Sequence, residues 1–322
     1  MAKLLKVVFL GSGPIAIPVL RVLAASPEIN LQAVISQLDR PAGRKRILTP
    51  TPLTAAALDM GLDVIRAADI NTPEFTDMLQ EMKPDFLCVV SFGQILKSTI
   101  LATPAICCVN IHASLLPRYR GASPIVQAII NQDKQAGVCF MQMEKGLDSG
   151  PVFRTLTMEL SGNEYADSLE NAMGELAAEC TVETLQKIAD GTFPPVEQNP
   201  EEVTVCRKIS KRDGYICWKN PATFIEAMVR AYFPWPGAVT QCVASGGKVQ
   251  NITICSAKIV DNCGLLPGKC ADISGKLIVG CGNDSALEIL ELTPSGGKRM
   301  TAAAFRNGLR NTLPEFITEL EI

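Results

Sequence analysis

A chain of 322 residues is long enough for two domains and too short for three of ordinary size. With 47% hydrophobic and 20% charged residues it is neither a disordered polymer nor a fibre, and its apolar runs (86–90, 106–109) are strand-sized, well below the roughly 20 residues of a membrane span. The net charge of −3 hides a split: residues 1–205 carry 16 basic against 23 acidic side chains, and residues 206–322 carry 14 against 10.

The start of the chain has two lysines and a short apolar run ending in glycine, without the length or cleavage site of a secretory leader. A cytoplasmic protein is expected. The twelve cysteines lie mostly inside apolar runs and form no Cys-x-x-Cys pair, and there is a single histidine. That pattern predicts free buried thiols in a reducing compartment, with neither a disulfide framework nor a metal site.

In chain order, residues 6–11, 31–37, 63–67, 85–93, 106–112 and 138–144 read as strands, several of them apolar on both faces. Residues 14–25, 52–60, 72–82 and 124–131 fill the gaps at helical length, three of them starting near proline, and 167–190 reads as a long helix. Alternating strands and helices predict an α/β domain with a doubly wound, mostly parallel sheet over residues 1–190. The dense basic cluster Arg40, Arg44, Lys45 and Arg46 falls between the second strand and the next helix. Residues 191–206, rich in proline and acid, read as a linker. Beyond it, a helix at 221–231 precedes short alternating strands at 238–243, 249–260, 276–280 and 286–292, separated by glycine turns. They predict a smaller C-terminal β-barrel, OB-like, over 207–322.

The chemistry concentrates in ICCVNIHASLLPRYRG, residues 106–121. Side chains alternate along a strand, so Asn110 and His112 share a face at its C-terminal end, where open α/β sheets place their ligands. A carboxamide and an imidazole side by side can donate hydrogen bonds to one developing oxyanion. Asp148, between glycines in GLDSG, is either a turn residue or, if it reaches His112, the group that orients the imidazole and takes a proton.

Asn110-x-His112, Ser114-Leu115-Leu116-Pro117-x-Tyr119-Arg120-Gly121 and Asp148-x-Gly150 together resemble the formyltransferases that use 10-formyltetrahydrofolate. The likeness runs nearly end to end, through Asp39–Arg44, Val89–Gly93, Lys208–Lys211 with Trp218, and Ala231–Pro236, and it is to the members that act on methionyl initiator tRNA. The resemblance implies formyl transfer from N10 of the folate to the methionyl α-amine, with Asn110, His112 and Asp148 catalytic. It implies that Ser114, Leu115, Leu116 and Pro117 line the folate site and that the backbone of Phe92, Gly93, Ile95 and Leu96 holds the pterin. It implies that Arg40, Arg44, Lys45 and Arg46 meet the tRNA acceptor stem, with the basic C-terminal part on the tRNA backbone. A monomer without a metal is expected. Three positions depart from the family pattern: the first loop reads Gly11-Ser12-Gly13-Pro14-Ile15-Ala16, Cys217 precedes Trp218, and Cys139 stands where Ser or Thr is usual.

Gly11-x-Gly13-x-x-Ala16 after a strand also fits a dinucleotide fingerprint, but that motif needs an acid closing the second strand, and this strand closes on Ile35-Ser36-Gln37. A sugar-nucleotide formyltransferase would share the Asn, His and Asp but not the basic loop or this second domain. A tRNA-binding protein with a dead site would bind without turnover, which the intact trio argues against.

Overall fold

The structure is a computed structural model that describes residues 4–43, 46–243, 249–261, 264–309 and 313–318. They form two compact units. The first comprises the chain up to Pro124, Gln135–Glu159 and Leu169–Cys206; the second comprises Ile125–Lys134, Leu160–Ser168 and the chain from Arg207 onward.

The first unit is built on one sheet of seven strands: β1 (Leu5–Gly11), β2 (Ile29–Gln37), β3 (Val64–Ala67), β4 (Phe86–Val90), β5 (Cys107–His112), β6 (Gln135–Gln142) and β7 (Val152–Glu159). Their order is β7-β6-β5-β4-β1-β2-β3. The first five strands run parallel. β6 is antiparallel to β5, and β7 to β6. The mostly parallel α/β sheet is therefore as the alternation predicted. All five residues of β4 are buried, the pattern of a strand covered on both faces. β7 was not anticipated. It is an edge strand in which Arg154, Thr155, Thr157 and Glu159 interrupt the apolar residues, so no apolar run marks it. The strand expected over 85–93 stops at Val90, because Ser91 and Gly93 take φ of 49° and 78°, which no strand accommodates.

Helices α1 (Ala16–Ala25), α2 (Pro52–Asp59), α3 (Pro73–Met82) and α4 (Ser98–Leu101) and most of α6 (Ala166–Ala189) belong to this unit, while α5 (Pro124–Ile130) belongs past Pro124 to the second. α2 starts where its sequence says: Thr51 Oγ1 accepts from Thr54 N at 3.1 Å, and proline occupies the first turn. A line of hydroxyls holds the loops at the ends of β1 and β2. Ser12 Oγ lies 3.4 Å from Ser36 Oγ, Ser36 Oγ lies 2.7 Å from Thr51 Oγ1, and Thr51 donates to Thr54 Oγ1 at 2.9 Å. The residues from Gly191 to Cys206 are bound into this unit: Val196 bridges Val152, and Val205–Cys206 pairs with Arg120–Gly121.

In the second unit, α7 (Ala222–Ala231) packs on an antiparallel sheet of β8 (Ala238–Val243), β9 (Val249–Val260), β10 (Cys270–Ile273), β11 (Lys276–Cys281) and β12 (Ser285–Pro294). The order is β10-β11-β12-β9-β8, followed by the short strand Glu315–Phe316. Phe316 N donates to Gly268 O at 3.2 Å, which returns the last strand to the residues just before β10 and nearly closes a barrel. The helix α8 (Ala302–Gly308), capped by Thr301, adds Phe305 to the core. Trp218, fully buried, stacks on Phe316 with centroids 5.3 Å apart and donates its indole N–H to Thr240 Oγ1 at 2.9 Å. A large aromatic with its polar atom satisfied is a strong core anchor.

Among the described residues no helix is long and apolar enough to cross a membrane, and no cluster of His, Cys, Asp and Glu could hold a metal. The eleven described cysteines are free thiols.

Two outcomes follow from this packing. Trp218→Ala removes both the stack and the hydrogen bond, and should destabilise the barrel by about 3–5 kcal/mol in urea unfolding followed by circular dichroism. Burial pushes the thiols of Cys88, Cys108 and Cys281 up to about 12. At pH 8 only about one in ten thousand of each is thiolate, so iodoacetamide should spare these three in the folded protein and label them in urea, as read by mass spectrometry.

Candidate active site

β5 presents its side chains alternately, so Val109 and Ile111 share one face and Asn110 and His112 the other; of these four only Asn110 is not fully buried. His112 is 6% exposed. Its Nε2 is 3.0 Å from the carbonyl oxygen of Tyr119. With the proton on Nε2 donated to that carbonyl, Nδ1 is the nitrogen that faces the site. It lies 3.8 Å from Asp148 Oδ2, an ion-pair distance beyond hydrogen-bond range.

Asp148 stands in the loop after β6 with a left-handed backbone, φ 45°. Its carboxylate is shared. Oδ2 accepts the backbone N–H of Gly121 at 2.8 Å, and Oδ1 accepts a long bond from Asn110 Nδ2 at 3.4 Å. The three residues singled out in the sequence are therefore adjacent, with Asp148 touching both members of the Asn-x-His pair. The second N–H of the Asn110 amide has no partner among the described residues.

The turn that follows β5 supplies the next groups. Ser114 is buried and its Oγ donates to Arg118 O at 2.7 Å, while Leu115, Leu116 and Pro117 are partly exposed. Leu116 N donates to Cys139 Sγ at 3.4 Å, from the strand position directly opposite His112. Burial pushes the Cys139 thiol up, so it stays protonated as a packing group. Gly121 takes φ 113°, and a Cβ there would lie 2.2 Å from Cys206 O, so only glycine lets this backbone pass and offer its N–H to Asp148.

The loop after β4, the strand beside β5, carries Phe92, Gly93, Ile95 and Leu96. Phe92 and Leu96 are buried in the core, and Ile95 is 80% exposed. Two of its carbonyls are already engaged: Phe92 O accepts from Ser12 Oγ at 3.3 Å and from Gln37 Nε2 at 2.5 Å, and Ile95 O accepts from Asn71 Nδ2 at 2.9 Å. Arg40 and Arg46 lie on a separate hairpin after β2, formed by Arg40–Ala42 and Ile47–Thr49. Both are exposed, as are Ile47 and Leu48. Arg44 and Lys45 lie outside the described residues. Asp39, the acid a dinucleotide site would need, is 2.8 Å from Arg66 and beyond the end of its strand.

Sequence reasoning missed Gln198. Its amide oxygen accepts from Arg120 Nε and Nη2 at 3.0 and 2.8 Å, and its amide nitrogen donates to Asp148 O and Gly150 O at 2.9 and 2.7 Å. Nothing in the proline- and acid-rich run around it marks the position. Thr204, from the same run, accepts twice: its carbonyl oxygen from Arg120 N–H at 2.9 Å and its hydroxyl oxygen from Tyr119 N–H at 2.8 Å.

Comparisons with known proteins fit this geometry. Residues 5–185 match the family described as "Formyl transferase", and residues 208–310 match "Formyl transferase, C-terminal domain". The chain is 38% identical over 304 residues to the methionyl-tRNA formyltransferase of Methylococcus capsulatus, covering 94% of this chain and 96% of that protein. It is 35% identical over 308 residues to that of Methylacidiphilum infernorum, covering 95% and 96%. Among solved structures, an N-formyltransferase from Helicobacter canadensis in complex with folinic acid and dTDP-3-aminofucose superposes with a TM-score of 0.63 at 17% identity, over 88% of this chain and 98% of that one. HypX from Aquifex aeolicus, with tetrahydrofolic acid bound, gives 0.61 at 16% identity over 97% of this chain, which spans 48% of HypX. The structural likenesses establish the fold; the sequence relatives, aligned over almost the whole of both chains, place this chain in the methionyl-tRNA formyltransferase family.

Proposed function

We propose that this enzyme moves the formyl group of 10-formyltetrahydrofolate onto the α-amine of methionyl initiator tRNA through Asn110, His112 and Asp148. The observation that carries the reading is the convergence of the three at the end of β5 with Nδ1 of His112 and one Asn110 N–H uncommitted to each other. Relatives named for methionyl-tRNA over some 95% of the chain support the acceptor, and the folate derivatives bound by structures of the same fold support the donor class.

The chemistry balances without a metal. The amine nitrogen attacks the formyl carbon, and the carbonyl oxygen becomes an oxyanion. The free Asn110 N–H donates to it, and His112 Nδ1 donates to it in the imidazolium form, which carries a proton on each ring nitrogen. Tyr119 O helps here, because it holds Nε2–H and so keeps the ring turned with Nδ1 toward the reaction. The attacking nitrogen sheds one proton to Asp148 Oδ1, the oxyanion re-forms the carbonyl as the C–N10 bond breaks, and that same proton passes on to N10 of the folate, which leaves Asp148 ionised again. Ser114–Pro117 and the 92–96 loop would flank the folate, from the two adjacent strands β4 and β5. Arg40, Arg44, Lys45 and Arg46, with the basic second unit, would meet tRNA phosphates, and the exposed Ile47 and Leu48 would enter that contact beside them.

Formyl transfer to methionyl initiator tRNA should be measurable in wild type, and His112→Ala should lower kcat by about two orders of magnitude or more. Asp148→Asn, which keeps the shape but removes the proton acceptor, should lower kcat by a similar factor with little change in KM for the folate. Arg46→Ala should leave kcat at saturation nearly unchanged, weaken tRNA binding, and reduce the slope of log affinity against log salt by about 1, as read by filter binding at several salt concentrations. A wild type that binds the tRNA and transfers nothing would shift the acceptor to an amino-sugar nucleotide.

A further inference from the structure

The chemistry above rests on Asp148, yet the residues before it, 144–147, are exposed and its own backbone is left-handed. A carboxylate on such a loop stays at its partner only if the backbone is held. Gln198 does this with every hydrogen-bonding position its amide has. Its two N–H groups go to Asp148 O and Gly150 O, and both acceptor sites of its oxygen are filled by the Arg120 fork. The opposite amide orientation would set N–H groups against a guanidinium and the oxygen against two carbonyls, so the network admits a single arrangement.

Arg120 is in turn fixed. Its backbone N–H donates to Thr204 O, and it pairs with Val205 in the short parallel ladder. It also lies between Tyr119, whose carbonyl takes His112 Nε2, and Gly121, whose N–H takes Asp148 Oδ2. One side chain therefore ties the loop that carries Asp148 to the loop that orients His112. We propose that Gln198, gripped by Arg120, is the positioning residue that sets Asp148 against His112 for formyl transfer, a role that rests on the function proposed above.

The test is a double-mutant cycle. Gln198→Leu should lower kcat about 10- to 100-fold, the scale of misplacing a reacting group by about an ångström, and move KM for folate and tRNA less than about threefold. In an Asp148→Asn background the same substitution should cost less than about threefold, since the group it positions is gone. Gln198→Glu keeps the acceptor for Arg120 but loses both donors, and should fall with Gln198→Leu, which separates loop holding from loss of bulk. A kcat within about twofold of wild type, or an equal loss in both backgrounds, overturns the proposal. A readout independent of activity is trypsin cleavage after Lys145 in the exposed part of the loop. It should quicken about fivefold or more in both Gln198 variants at unchanged melting temperature, and an unchanged rate overturns the brace. If wild type transfers no formyl group to methionyl-tRNA while cleavage quickens as stated, the acceptor assignment fails and the brace stands.

Discussion

The carboxylate of Asp148 is the point on which the site turns, because it meets a backbone N–H, a carboxamide and an imidazole at once. A carboxylate only 16% exposed needs such partners, and the bond from the N–H of Gly121 is the shortest of them. That bond in turn requires residue 121 to lie where only glycine fits beside Cys206. The requirement therefore runs outward, from the carboxylate to a turn of the chain, and from that turn to the strand pairing of residues 205 and 206 with 120 and 121.

How far the sequence alone reached depended on whether a feature was set by local periodicity. Asn110 and His112 were legible as partners because strands alternate, and β5 pairs with β6 through both residues without a bulge. The central parallel strands were legible from runs such as Phe86–Val90, apolar on both faces. β7 was not, since at the sheet edge half of its residues meet water and are polar. The contact of Asp148 with His112 depends on how a nine-residue connection returns, which no local pattern encodes. Gln198 was further hidden, because an isolated glutamine among prolines and acids looks like solvated chain until its four bonds to Arg120, Asp148 and Gly150, 48 to 78 residues away, are seen. The basic cluster was visible as composition. The exposed hairpin that begins at Arg40 was not.

The second unit supplies the complementary half of the same logic. Its barrel is held by a core of Trp218, Phe316 and the strands around them, and residues 206–322 carry an excess of basic side chains. Separate family matches over residues 5–185 and 208–310 follow the same division of the chain.

The segment from 191 to 206 has one more effect, on association between molecules. β7 is an edge strand, and an open edge offers unpaired N–H and C=O groups to any other extended chain. Here Val196 takes the backbone groups of Val152 at the start of that edge, and Arg154 reaches across to Glu183 of α6. Charged side chains and a bridging residue thus blunt the ladder where it would otherwise continue into a neighbour. A chain nicked or shortened within this segment would lose that cover, and its sheet would become a template for aggregation.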